Sequence, residues 1–199
     1  MGLFSLVDRN KSIPTRAARA CASGEAIYRS GCDGLAWRVR SGVVRLDALA
    51  ASGESSFASL AIAGDIIGCE SLLFGAYTFS ASALTQCDLS PWPEGEVAAG
   101  ESLLQSLAIA QKRAADVVAL RGGEALARVV NLIRLLADAS GSVVLPARQD
   151  MADITDLRFE TISRIIKKLE RAEVLAPRKI SGVHATRSFS VNLDGLAAV

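Results

Sequence analysis

Between Ala51 and Gln111 the chain has no lysine or arginine, while seven acidic residues fall in the same stretch. A surface without positive counter-charge cannot attract a polyanion, so any contact with nucleic acid must come from the flanking segments. Histidine is scarce as well. His184 is the only one, no partner for it is visible, and no set of nucleophile, base and orienting group appears elsewhere. An enzyme is therefore not expected, although Asp65 and Glu70 are carboxylates that such a site could draw on. The four cysteines, Cys21, Cys32, Cys69 and Cys87, lie 11, 37 and 18 positions apart with no CxxC pair, so no metal centre is expected. Also missing are a signal peptide and any uncharged apolar run of about 18 residues. The richest run, FASLAIAGDIIGCESLLF, is broken by Asp65 and Glu70, which marks a buried segment of a fold and not a membrane span. A cytoplasmic protein with reduced thiols and no membrane contact is expected.

What is present points to a globular chain. Half of the 199 residues are hydrophobic, enough for a substantial core in one domain or two small ones. The net charge of +1 hides an uneven distribution. Residues 1–50 carry eight basic against four acidic residues, 112–145 five against three, and 146–199 nine against seven. From Glu25 to Trp92 short apolar pieces alternate with glycine: AIYRSG, LAWRVRSG, VVRLDALAASG, FASLAIAG and DIIG. Pieces of this length between turns predict strands, and their recurrence predicts a small antiparallel barrel or roll. The prolines of LSPWP, Leu89 to Pro93, are expected to end the strand pattern.

The period then changes to that of a helix. Over residues 97–121, Leu103, Leu107, Ala110, Ala114 and Val117 share one stripe, with Leu120 at its end. Such a helix needs a partner for the stripe, either its own barrel or the same helix of a second subunit; a symmetric homodimer is the reading adopted. Gly122 and Gly123 interrupt it and make a candidate hinge. A second helix is predicted from Glu124 to Ala137, and ASGSVVLP reads as a turn and short strand.

From Arg148 to Ile154 a short helix is predicted with Met151 and Ile154 inward, then a tight connection through Thr155, Asp156 and Leu157. A second helix follows from Phe159 to Glu170, with Ile162, Ile165, Ile166 and Leu169 inward. Two helices across so short a turn form a helix-turn-helix pattern, a shape that bundles unrelated to DNA also contain. The remaining face discriminates. Residues 158–171 carry five basic and two acidic residues. Glu160 and Arg164 are spaced i,i+4, so they could form a surface ion pair worth a few tenths of a kcal/mol. Alternatively, the carboxylate can accept from cytosine N4 and the guanidinium can donate to guanine O6 and N7. Ser163 could add a base or phosphate contact. Arg148, Thr161, Lys167, Lys168 and Arg171 suit phosphates and flanking contacts. VLAPRKISG and TRSFSVNL then predict a hairpin, a wing in which Arg178, Lys179 and Arg187 could touch the DNA backbone or form a merely solvated face.

This arrangement of roll, long helix and winged helix resembles the CRP/FNR superfamily of dimeric bacterial transcription regulators over nearly the whole chain. SGEAIYRSGCDGLAWRVRSGVVRL, LAIAGDIIGCESLLF and above all ARQDMADITDLRFETISRIIKKLE carry the resemblance. It implies an α+β fold: an N-terminal antiparallel β-roll over residues 1–96, cupin-like and like a cyclic-nucleotide-binding domain, a dimerisation helix over 97–121, and a C-terminal winged helix-turn-helix over 122–199. It further implies a homodimer on double-stranded DNA, RNA polymerase as a partner, and base contacts at Glu160 and Arg164. The stretch ETISR is similar to the FNR branch, which adds Ser163, and Phe159 stands where the cyclic-AMP-receptor branch has an arginine. An FNR-like half-site resembling TTGAT is thus implied. The effector is not identified. YTFSASAL offers no arginine for a cyclic nucleotide's phosphate, and only Cys21 precedes the first strands where oxygen-sensing members carry a cysteine cluster, so neither cofactor is expected. Haem ligation at Cys69 stays open beside its plainer reading as a small buried hydrophobe. The rival to DNA reading is a β-roll that binds a protein or small molecule without specific DNA recognition.

Overall fold

The computed structural model describes residues 17–93, 99–179, 187–192 and 195–196, with the backbone only at 99–104. Eight strands and one short helix make the first unit: β1 (Arg19–Cys21), β2 (Ala26–Tyr28), β3 (Ala36–Ser41), β4 (Val43–Leu49), β5 (Ser55–Ile62), β6 (Ile66–Ile67), α1 (Glu70–Phe74), β7 (Phe79–Ala83) and β8 (Cys87–Trp92). They form two four-stranded sheets, ordered β1-β8-β3-β6 and β2-β7-β4-β5, in which every pairing is antiparallel. Gly42 turns β3 into β4 at φ +84°, and a Cβ there would run into the backbone of Gln86, so both conformation and space require glycine.

The blurred alternation of these strands has a physical cause: the β2-β7-β4-β5 sheet is covered on both faces. Val44 and Ala61 pack inside the roll with Tyr28, Val39, Ile67 and Leu89. Their neighbours Val43 and Leu60 point the other way, into a second cluster. Leu46 pairs with Ser59 and Asp47 with Phe57, so Ala58 is an extra residue on β5. This bulge switches parity along the strand and turns Phe57 to the outer face beside Leu60.

The rest is mostly helical: α2 (Ala99–Ala119), α3 (Ala125–Leu136), β9 (Ser142–Val144), α4 (Arg148–Thr155), α5 (Phe159–Arg171), β10 (Leu175–Pro177) and β11 (Ser188–Val191). The last three strands form an antiparallel sheet ordered β10-β11-β9. The outer cluster joins Val43, Phe57, Leu60 and Leu84 of the roll to Val117, Leu120, Ile133, Ile154, Ile162 and Leu169 in one core. The fold is thus α+β, a β-roll followed by a helical domain, with a core that crosses the boundary drawn at residue 121.

Three expectations are corrected. β8 continues through Pro91 to Trp92; beyond Leu89 its partner on one side, β1, has ended, so the missing proline N–H falls on an open edge. The end of the FASLAIAGDIIGCESLLF run is not buried: Leu72, Leu73 and Phe74 of α1 are 50%, 79% and 72% exposed. On α2, Val117 is buried in the chain's own core, while Leu107, Ala110, Ala114 and the neighbouring Val118 are exposed. The outward stripe therefore ends on Val118. The side chain of Leu103 lies outside the described residues.

Among the described residues, two other than glycine adopt the left-handed region, Asp156 (φ 52°) and Glu173 (φ 57°). Asp156 ends α4, its N–H donating to the carbonyl of Ala152. Glu173 follows α5 with no short polar side chain to ease that geometry. Glu173→Gly is expected to raise the unfolding free energy by about 1 kcal/mol in urea titrations; unchanged or lowered stability would contradict the assigned backbone.

Candidate nucleic-acid interface

The helix α5 is held by one side and free on the other. Ile162, Ile165, Ile166 and Leu169 are buried, and they recur at helical spacing against α3, α4 and β10. Glu160, Arg164, Lys167 and Arg171 recur at i, i+4, i+7 and i+11 on the opposite side, and all are exposed. Lys168 is exposed on one flank, and Thr161 and Ser163 are half-buried at the edges. The ion pair that i,i+4 spacing allows is not made: among the described residues, neither Glu160 nor Arg164 has an ion pair or side-chain hydrogen bond. An acceptor and a planar donor thus stand side by side, unengaged, on a helix whose other face is fixed.

The turn before it is closely determined. The N–H groups of Asp156 and Leu157 both donate to Ala152 O, and Thr155, which belongs to α4, is buried with its hydroxyl donating to Met151 O. Arg158 is the extended N-cap of α5, and its carbonyl accepts from Thr161 and Ile162. Three residues separate the two helices. Phe159, 46% exposed at the start of α5, is an aromatic ring left beside Glu160. The sequence marked it only as a departure from an arginine; its exposure is the signal that sequence reasoning missed.

Other candidate positions differ in availability. Arg178 and Lys179 are exposed just after β10. Arg148 is half-buried and donates to the Met151 sulfur at 3.7 Å; burial is the largest influence on its guanidinium and lowers its pKa. Arg187 is committed within the fold, donating to Leu145 O at 2.8 Å and Leu84 O at 2.9 Å, which corrects its reading as a backbone contact. His184 and the tip of the β10–β11 connection lie outside the described residues. Gly123, at φ +78°, separates α2 from α3 together with Gly122, and neither is crowded.

In the roll, Asp65 is engaged. Its Oδ2 accepts from Arg113 Nε at 3.0 Å and from the Ile62 N–H at 2.8 Å, which ties the β5–β6 turn to α2. Cys21 and Cys87 face each other across β1 and β8 in the core, whereas Cys32 and Cys69 are exposed. Cys69 is therefore not the buried small hydrophobe its sequence context suggested. Among the described residues no group of three or more His, Cys, Asp or Glu is placed to hold a metal, and no helix is long and apolar enough to cross a membrane.

Comparison with known proteins finds relatives in sequence and in fold. The chain is 35% identical over 157 residues to the nitrogen fixation regulation protein FixK of Bradyrhizobium diazoefficiens, covering 70% of this chain and 65% of that relative. It is 28% identical over 162 residues to FixK of Rhizobium meliloti, covering 78% and 76%. The match thus spans just under two thirds of the Bradyrhizobium protein's length. A CRP-family transcriptional regulator from Thermus thermophilus superposes with a TM-score of 0.69 at 24% identity, over 90% of this chain and 95% of that one. FixK2 from Bradyrhizobium japonicum gives 0.66 at 24% identity, over 92% and 96%. No protein-family model matches the chain. The chain shares the fold of these CRP-family structures, and its sequence is similar to that of the FixK regulators. These relatives are named as regulators.

Burial raises the thiol of Cys21 and pushes that of Cys87 up to about 11. Alkylation of the native protein near neutral pH, read by mass spectrometry, is therefore expected at Cys32 while Cys21 and Cys87 stay unmodified until unfolding. Rapid native labelling of Cys87 would contradict the packing.

Proposed function

We propose that the chain is a sequence-specific DNA-binding transcription regulator that acts as a homodimer on a palindromic, FNR-like site. The observation that carries this reading is the unpaired, exposed Glu160 and Arg164 on a helix anchored by four buried side chains. In it, α4 and α5 are a helix-turn-helix, α5 lies in the major groove, and β10 and β11 are the wing. Glu160 accepts from cytosine N4, Arg164 donates to guanine O6 and N7, and Ser163 adds a contact at the helix edge. Phe159 sits against a thymine methyl, the apolar feature that groove offers, which suits a half-site resembling TTGAT. Thr161, Lys167, Lys168, Arg171, Arg178 and Lys179 take phosphates or flanking positions, and Arg148 contributes only through the part of its side chain that reaches the surface.

Two copies meet along α2. Leu107, Ala110, Ala114 and Val118 form an exposed small and apolar stripe on a 21-residue helix, and Leu103 continues its spacing. Pairing these helices about a two-fold axis sets two α5 helices about 34 Å apart, one turn of DNA. RNA polymerase is the expected partner on DNA, and the effector is unidentified.

Selection of bound duplexes from a random pool, followed by footprinting, tests the base assignments. A palindrome is expected for the wild type. Glu160→Ala and Arg164→Ala are each expected to lose about 1–3 kcal/mol of discrimination at one base pair per half-site, and Phe159→Ala to relax a thymine position. Equal weakening on all DNAs would contradict base reading. Leu107→Glu is expected to shift the protein to monomers in sedimentation and to abolish the preference for a palindrome over a single half-site; a persistent dimer would contradict the α2 interface.

A further inference from the structure

We propose that Arg45, Phe57 and Arg121 form a clasp that positions the α4–α5 pair on the roll, and that this clasp fixes the DNA spacing the dimer accepts. The inference deepens the DNA-reading function and rests on it for its consequence, though not for its geometry.

Arg45 projects from the outer face of β4 and is largely buried, with its side chain 15% exposed. It pairs within the roll with Asp47 at 2.7 Å, and across to α4 with Asp153 at 3.1 Å and Asp150 at 3.8 Å. The same guanidinium lies 5.5 Å from the centre of the Phe57 ring, and that of Arg121 lies 5.0 Å from it. Both distances fall within cation–π range. The bulge at Ala58 is what turns this ring outward.

Arg121 completes the connection. It stands two residues beyond the end of α2 and donates to Asp153 O at 3.0 Å and Ile154 O at 3.2 Å. Arg128 of α3 donates to Thr155 O at 3.2 Å. The last turn of a helix has carbonyls without intrahelical partners and carries partial negative charge, so three consecutive carbonyls of α4 are held by guanidinium groups from the end of α2 and from α3. The turn leading into α5 begins at the next residue, Asp156. A displacement of α2 relative to the roll is thus felt at Arg121, then at the end of α4, then at the angle of α5. Gly122 and Gly123 leave the chain connection free to bend, so the side-chain clasp supplies the stiffness that the backbone there lacks.

A dimer reading two half-sites needs that stiffness, because the separation of its two α5 helices decides which spacer fits. The test uses the full chain, Arg45→Met, and an independent variant, Asp150→Asn with Asp153→Asn, that cuts the same contacts while leaving the Arg45–Asp47 pair. Binding is measured on the selected palindrome and on duplexes with the spacer altered by two base pairs. Each variant is expected to reduce the spacer preference about ten-fold with single half-site affinity unchanged, and the combined variant to do no more. A merely structural role would lower all affinities together and keep the spacer preference, and that result overturns the proposal. Amide hydrogen exchange decides the geometry without DNA. Faster exchange is expected in α4 and β5 of both variants with β3 and β8 unchanged, and unaltered exchange in α4 overturns the clasp. If no preferred duplex exists for the wild type, the DNA-reading function fails while the exchange result still judges the clasp.

Discussion

Phe57, Leu60 and Leu84 of the roll are buried in the same apolar cluster as Val117, Leu120, Ile154, Ile162 and Leu169. Burial of each large apolar side chain is worth about 1.5–3 kcal/mol, so this shared core is the constraint that holds the helical domain in place. It explains why α5 presents one face and not another: four of its side chains are spent inward, and the stripe from Glu160 to Arg171 is left exposed among the described residues. The charged side chains between residues 51 and 111 are all acidic, whereas α5 and the segment after β10 expose Arg164, Lys167, Lys168, Arg171, Arg178 and Lys179.

Much of the helical domain was legible because a helix that buries one face writes its period into the sequence. The isoleucines at 162, 165 and 166 and the leucine at 169 define the inner face, and the inferred α5 and observed Phe159–Arg171 differ by one residue at the end. The left-handed Asp156 falls in the tight connection that the sequence places at residues 155–157, where a short polar residue tolerates such a turn. Glu173 has the same geometry and no such marker. The roll was legible as glycine-punctuated strands, while its alternation was not, because β4 and β5 serve two cores at once and a bulge at Ala58 changes parity midway.

What the sequence could not reveal lies between segments distant in the chain. Val117 fits the α2 stripe by spacing, yet the roll and helical domain close over it and leave Val118 outward. Arg45, Asp150 and Asp153 carry no motif, and only folding brings a strand of the roll against α4. Arg187 and Arg121 look like surface charges when read along the chain, but backbone carbonyls occupy both. In each case a long basic side chain is used as a fastener inside the protein. Arg164, Lys167, Lys168 and Arg171 are left exposed together on the free side of α5.

On the proposed function, this face enters the major groove of DNA. Disulfide crosslinking from Ser163→Cys, in a background with Cys32→Ser and Cys69→Ser, to duplexes with a thiol tethered at cytosine N4 or in the minor groove tests it directly. Efficient crosslinking is expected to the major-groove tether within one half-site, and none to the minor-groove tether. Crosslinking that is equal from both grooves, or independent of where the tethered base lies in the duplex, would contradict it.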